Sequence, residues 1–382
     1  MKTFGIPWPE FNQGLFYTDT VKHVPSLPTL INFYSSRYKS SAPTKGWLQR
    51  IHNGQITTDG SVVTDPDTVL RIGSKLVYHR LPWREPLAPY EVGILYEDDQ
   101  LLIVNKPSGL QVLPGGLFQQ RTLLNQLQWR TDKSGEYGPE VSSTVNTLQE
   151  SYPVPVHRLG RGTSGILLCA KTNVAKSKLS ADFADGTFSI RSNRCSGTDP
   201  CDVKRRISKT YRALAKGIIQ QEKILIQQPI GKMQYPGVGG GLYAASPTGK
   251  PSESRISVLS RDENRNCTLV EVEIYSGRPH QIRIHLSYIG HPLVGDPLYV
   301  AGGRPSISLS EKCSERYDVE NFAEDGGYEK PLNALPGDCG YHLHASRLLF
   351  HHPASDEDIQ IFAPSPPMLR TSEENASIDN KF

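Results

Sequence analysis

The sequence predicts an α+β protein in two parts, a small helix-plus-sheet module near the N-terminus and a larger unit that carries most of the chain. Three observations lead there. Of the 382 residues, 37% are hydrophobic and 21% charged, the mix of a globular chain with material for a sizeable core and room for two domains. Short β-prone runs and amphipathic helical stretches are interleaved along it. The Pro-rich stretch LPWREPLAPYE divides the two parts, with a linker at 85–89.

The module spans 27–84, behind an N-terminal extension of residues 1–26. TLINFYSSRY and TKGWLQRIHNGQ read as two short helices, followed by the β-prone runs ITTDGSVV and VLRIGSKLVYH. Thr44 is suited to cap the second helix, Asn53-Gly54 to end it, and Asp59-Gly60 to turn a hairpin. The second helix carries Trp47, Arg50 and Ile51.

The larger unit spans 90–366. It opens with two strands, ILYEDD and LLIVN, then the Gly/Pro-rich loop NKPSGLQVLPGG, and a helix near 122–130. GILLCAK is a short apolar run between Gly165 and Lys171, hence a buried strand. NVAKSKLSADFADG places Ala175, Leu179 and Phe183 on one helical face and stops at Gly186. Val270, Val272 and Ile274 alternate with Glu271 and Glu273 in a strand. After the turn SGRP, a helix buries Ile282, Leu286 and Ile289, with His280, Arg283 and Ser287 on a roughly opposite face. YHLHASRLLFHHP resumes the core. Polar segments 131–151, 187–202 and 306–340 read as insertions or loops, and 367–382 as a disordered acidic tail.

Charge and cysteine usage narrow the function. Lys and Arg number 42 against 39 Asp and Glu, so a basic surface has to be local. It lies in KRRISKTYRALAK, six basic side chains and no acid: Lys204, Arg205, Arg206, Lys209, Arg212 and Lys216. No apolar run approaches the roughly 18 residues of a membrane span. The opening MKTFGIPWPEFNQ has neither a signal peptide's apolar core nor a transit peptide's Arg/Ser richness, so an intracellular protein is expected. Six scattered cysteines are expected as reduced thiols. Cys339, His342 and His344, with Cys313, His351 and His352, lack the spacing of a zinc knuckle, and no metal is expected.

Four segments stand out: NKPSGLQVLPGG, HRLGRGTSGILLCAK, SKTYRALAKG, and SGRPHQIRIHL followed by GHPLVGDPLY. Together, in this order, they resemble the RluA-type pseudouridine synthases, above all plant members with the form HRLGRGTSGIL. The module resembles the RNA-binding domain of the ribosomal-protein-S-four type. The resemblance implies a mixed, mainly antiparallel sheet with flanking helices and a cleft lined by the four motifs. It implies an isomerase that turns uridine into pseudouridine in RNA of the rRNA or tRNA class, as a monomer and without cofactor.

By the same resemblance, Tyr211 stacks on the target base and its hydroxyl takes part in proton transfer. Arg283 pairs with the catalytic aspartate, and Arg158 enters the RNA beside the uridine flipped out of the stack for reaction. His157 is counted with the substrate-binding residues and read as a packed or hydrogen-bonding ring rather than an acid or base. By its charge, the basic run Lys204, Arg205, Arg206, Lys209 and Arg212 fits contacts to the RNA backbone, as do Lys45 and Arg50 of the module. One position departs from the family. The catalytic aspartate of its His-Arg-Leu-Asp motif is Gly160 here, which has no side chain with which to attack or deprotonate. Asp182, Asp185, Asp296 and Glu150 each have a structural role instead. A buried Arg283 therefore needs another partner, whether an RNA phosphate, a bound anion or a carboxylate from elsewhere. Gly160→Asp is expected to raise stability or activity. The alternative function is a catalytically silent RNA-binding protein on the same scaffold.

Overall fold

The computed structural model describes residues 1–22, 28–132, 152–193, 207–235, 238–306, 326–327, 337–355 and 357–379. They form two compact units. One is Pro9–Pro86 with residues 326–327, and the other is Met1–Trp8 with the remaining described residues from Leu87 onward. Lys204, Arg205 and Arg206, and most of the three polar insertions, lie outside the described residues.

The first strand, β1 (Thr3–Phe4), belongs to the large unit. The small unit holds β2 (Leu15–Thr20), α1 (Leu30–Arg37), α2 (Thr44–His52), β3 (Ile56–Thr58), β4 (Ser61–Val62) and β5 (Lys75–Arg80). Its sheet runs β2-β5-β3-β4. The N-terminal stretch is thus no detached extension, because β1 pairs with a strand of the large sheet and β2 pairs along all of β5. A short strand of mixed exposure carries little periodic signal; its ladder partner supplies the order.

Asp59 and Gly60, with φ of 50° and 86°, form the expected hairpin turn between β3 and β4. Thr44 is the first helical residue of α2 rather than its cap, since the extended Pro43 takes that place. Leu30, Tyr34, Trp47 and Ile51 pack with Leu76 and Tyr78 in this unit's core. Arg50 lies inside that core. It is 2% exposed, with its guanidinium 4.4 Å from the Trp47 ring centroid and 4.7 Å from that of Tyr78, and it donates to Ser41 Oγ. A cation between two aromatic faces is stabilised there and is not presented to a phosphate. Lys45 is exposed.

The large unit continues with β6 (Val92–Glu97), β7 (Leu101–Lys106), α3 (Leu123–Asp132), β8 (Val154–Pro155), β9 (Ser164–Ala170), α4 (Asn173–Asn193), β10 (Ile207–Lys216), β11 (Lys223–Ile226), β12 (Ile230–Tyr235), β13 (Val238–Ala245), β14 (Ser254–Asp262), β15 (Cys267–Ile274), α5 (Gln281–Tyr288), β16 (Leu343–His351), β17 (Asp358–Phe362) and α6 (Ser372–Asp379). An eleven-stranded sheet runs β1-β6-β7-β9-β16-β10-β15-β14-β11, with β8 added to β9 and β17 to β16. Among the pairings of the described strands only β9 with β16 is parallel, so the sheet is mixed and mainly antiparallel, as the resemblance implied. Leu101 to Val104 and Ile166 to Ala170 are buried without alternation, the pattern of strands covered on both faces.

Three elements differ from expectation. Helix α4 passes through Gly186 and ends at Asn193, because an interior glycine costs a helix only about 1 kcal/mol relative to alanine and does not by itself stop it. Helix α5 has no exposed polar face, and Gln281 through Ser287 are all buried. Leu286 and Ile282 join the main core, while Ile284 joins a second cluster with Ile230, Leu298 and Tyr299.

The tail is also structured. Leu369 packs with Leu214 and Leu269, and α6 brings Glu374 to Arg212, whose Nη1 and Nη2 donate to the carboxylate at 2.6 and 2.7 Å. Arg212 is therefore committed to the tail and not to RNA. That hydrogen-bonded fork, with burial opposing it, holds the Glu374 carboxyl at about 2 against its ordinary 4.5. A depressed folded pKa gives stability that is complete above the unfolded value and lost as pH falls. Glu374→Ala is expected to lower stability by up to about 1 kcal/mol at neutral pH. The gap to the unaltered protein should close between pH 4.5 and 2 in thermal melts.

Candidate active site

The four motifs converge where β9, β10 and β16 meet. Ala345 of β16 is paired with Gly165 of β9 on one side and with Tyr211 of β10 on the other, where a bulge follows Thr210. This sets the HRLGRGTSG loop, which leads into β9, two strand spacings from Tyr211, roughly 10 Å. The loop is tied to the first motif as well. Gly109 N donates to Arg161 O at 2.8 Å, and Ser108 Oγ donates to Gly162 O at 2.7 Å. Lys106 is fully buried, and its ammonium donates to the carbonyls of Pro107, Leu110 and Arg161. Burial pulls its pKa down to about 7, so three carbonyls and no carboxylate hold this clamp. Its role is to fasten one loop to another.

The glycines of HRLGRGTSG serve close approach to the chain leading into β16. A Cβ on Gly165, whose φ is +106°, would stand 2.3 Å from Ala345 O, and one on Gly162 would stand 2.7 Å from Asp338 O. At Gly160 the neighbour is a side chain, with the Tyr341 hydroxyl 2.9 Å from where a Cβ would be. Gly160→Asp therefore meets an occupied space, and the simple gain expected from restoring a carboxylate does not hold in the presence of Tyr341.

Arg283 is buried, 2% exposed, and its partner is the carboxylate of Asp296. Nε donates to Oδ2 at 2.7 Å and Nη2 to Oδ1 at 2.8 Å, while Oδ1 also accepts from the backbone N–H groups of Leu298 and Tyr299. The pair is bidentate and shielded from water, the strong form of this interaction. The guanidinium also lies over two rings, 4.2 Å from the Tyr341 centroid and 5.0 Å from that of Tyr299. Its third nitrogen, Nη1, is buried with no hydrogen-bond partner among the described residues.

The remaining residues divide clearly. Tyr211 is buried in the core cluster, and burial pushes its hydroxyl up to about 12, so it is a neutral phenol. Arg158 is exposed. His157 stacks on Phe183 at 4.8 Å, and its Nε2 accepts from Leu168 N at 3.1 Å. Burial, then the charge of Lys209, takes its pKa down to about 3, so it is a neutral structural ring. The Lys209 ammonium lies 5.3 Å from the Phe183 centroid and 3.7 Å from a Cβ built on Gly277, and burial lowers its pKa to about 8. Beyond Gly277 opens a cleft of about 350 Å³ lined by Lys232, Tyr243, Lys250, Arg278 and neighbouring backbone. Of the residues weighed as zinc ligands, His344 Nδ1 meets Ser164 Oγ and His352 Nε2 meets Asp98, Cys339 is a free thiol, and Cys313 lies outside the described residues.

Sequence reasoning missed Tyr341, the pairing of Asp296 with Arg283, and the Lys232–Arg278 cleft. A signal for Asp296 was present, since GDPLY follows the α5 helix closely. Tyr341 had none, because it is distant in the chain from Gly160.

A model of the RNA pseudouridylate synthase family matches residues 100–288. RNA pseudouridine synthase 5 of Arabidopsis thaliana is 57% identical over 96% of this chain and 97% of its own length. The protein of the same name from rice, Oryza sativa subsp. japonica, is 56% identical over 97% of this chain and 92% of its own. An uncharacterized RNA pseudouridine synthase of the cyanobacterium Synechocystis is 38% identical over 90% and 96%.

Proposed function

The chain belongs to the RluA-type RNA pseudouridine synthases, and from that membership we propose that it isomerises uridine to pseudouridine in RNA. The observation that carries the reading is the junction at Ala345, which brings together the HRLGRGTSG loop, Tyr211 and, through Tyr341, the Arg283–Asp296 pair.

The reaction conserves every atom of the substrate. The bond from uracil N1 to ribose C1′ breaks, a bond from C5 to C1′ forms, and one proton leaves C5 while one arrives at N1. Tyr211 holds the flipped base by stacking, and Arg158 at the exposed rim fills the gap left in the RNA. Lys209 and the cleft beyond it, with Lys232, Lys250 and Arg278 around Tyr243, suit phosphates and a flanking base. The RNA is of the rRNA or tRNA class. The protein works as a monomer inside the cell, with neither metal nor cofactor. Among the described residues no helix is long and apolar enough to cross a membrane.

The test is tritium release from total RNA labelled at C5 of its uridines. The unaltered protein is expected to release tritium. Tyr211→Ala should lower the rate by roughly 10- to 150-fold from lost stacking alone. RNA binding without release by the unaltered protein would make the silent scaffold the correct reading.

A further inference from the structure

We propose that the phenolic hydroxyl of Tyr341 is the proton-transfer group of this isomerase, and that position 160 is glycine in order to admit it. The inference rests on the reading of the chain as an isomerase. Its support is the arrangement around Gly160. The Tyr341 hydroxyl stands 2.9 Å from where a side chain at 160 would begin, and Thr163 Oγ1 stands 3.4 Å from the same point. The two hydroxyls are hydrogen bonded at 3.2 Å, and Thr163 N donates to Gly160 O at 3.0 Å, so one turn fixes both the glycine and the phenol. Gly160 is exposed while Tyr341 is only 4% exposed, which places the phenol beneath the glycine. A substrate atom over Gly160 reaches that oxygen through the space a side chain would have filled.

Arg283 completes the device. Its guanidinium lies over the same ring, 4.2 Å from the centroid, and Nη1 remains unpartnered among the described residues although buried. A cation held there stabilises a phenolate more than a phenol. Burial raises the Tyr341 pKa, against the opposing pull of Arg283 and Thr163, so the resting group is the protonated acid.

The step balances with this one group. As the N1–C1′ bond breaks, its electron pair goes to the uracil ring, and Tyr341 delivers its proton to N1. The phenolate formed is stabilised by Arg283. The base turns, C5 attacks C1′ to form the new carbon–carbon bond, and the proton on C5 passes to the phenolate oxygen. Tyr341 is restored, with no oxidant or reductant needed. Tritium from C5 is then exchanged to water through this hydroxyl.

The experiment compares the full-length protein with Tyr341→Phe, Tyr211→Phe, Gly160→Ala, Gly160→Ala/Tyr341→Phe and Gly160→Asp/Tyr341→Phe, using the C5-tritiated RNA, an RNA-binding measurement and thermal melts. Tyr341→Phe should lose a hundredfold or more of the release rate, and more than Tyr211→Phe, with RNA binding retained. Gly160→Ala should fall with it, because the methyl displaces the hydroxyl, and adding Tyr341→Phe to Gly160→Ala should cost nothing further and restore melting temperature. Fluorotyrosine at 341, a more acidic phenol, should move the alkaline limb of the pH–rate profile to lower pH.

Release by Tyr341→Phe within threefold of the unaltered protein overturns the inference and leaves the isomerase reading standing. So does loss in Tyr211→Phe with release kept in Tyr341→Phe. Release by Gly160→Asp/Tyr341→Phe but not by the unaltered protein, or by neither the unaltered protein nor any variant, overturns both.

Discussion

Asp296→Ala is expected to destabilise the large unit by about 3–5 kcal/mol, measured by urea or thermal unfolding. The carboxylate is fully buried and faces a guanidinium whose side chain is 2% exposed, so removing it strands a cation with no water at hand. The same oxygen that meets Arg283 Nη2 also accepts from Leu298 and Tyr299, and those two N–H groups lose their acceptor too. Asp296→Asn should cost less, since an amide oxygen still serves the backbone. Arg283→Met combined with Asp296→Asn should recover part of the loss, because the buried charge is gone. A penalty under about 1 kcal/mol for Asp296→Ala would show that the guanidinium has water or another anion within reach.

Gly165→Ala should be nearly as damaging. Its Cβ would stand 2.3 Å from Ala345 O and 2.7 Å from Ala345 N, and the glycine's φ of +106° is one that alanine resists. Neither neighbour is a side-chain tip that can swing aside. The expected cost is roughly 3–5 kcal/mol, overpacking and backbone strain together. Because this contact is where β9 and β16 run parallel, the damage should reach activity through the HRLGRGTSG loop even in whatever protein remains folded. Gly240→Ala is the control, with nothing within 4 Å of the added methyl, and should melt like the unaltered protein. Equal melting temperatures for the two variants would mean the strands part easily and the parallel junction is not what holds the site together.

Elements with strong local signals were legible. GILLCAK had to be a buried strand, Asp59-Gly60 had to turn a hairpin, and Asn53-Gly54 had to end a helix, since each rests on residue chemistry within a few positions. The tail was misread for the converse reason. An acidic stretch reads as solvated until Arg212, 162 residues away in the chain, is seen to fork onto Glu374. Arg50 was misread in the same way: a basic residue on a short helix resembles a phosphate contact until Trp47 and Tyr78 close over it.

The site followed the same division. Motif order marked the family and pointed to Tyr211, Arg283, Arg158 and Gly160 as candidates, and the basic run pointed to Lys209. The requirement that a buried Arg283 find another partner could be derived from electrostatics without coordinates. That the partner is Asp296, and that the Tyr341 hydroxyl fills the space beside Gly160, only the tertiary structure decided. Both depend on which atoms come within a few ångströms of each other, and Tyr341 lies 178 residues from its hydrogen-bond partner Thr163. Local sequence encodes what a residue can do, whereas burial and close approach determine which partner it meets and whether its charge or hydroxyl is left for chemistry.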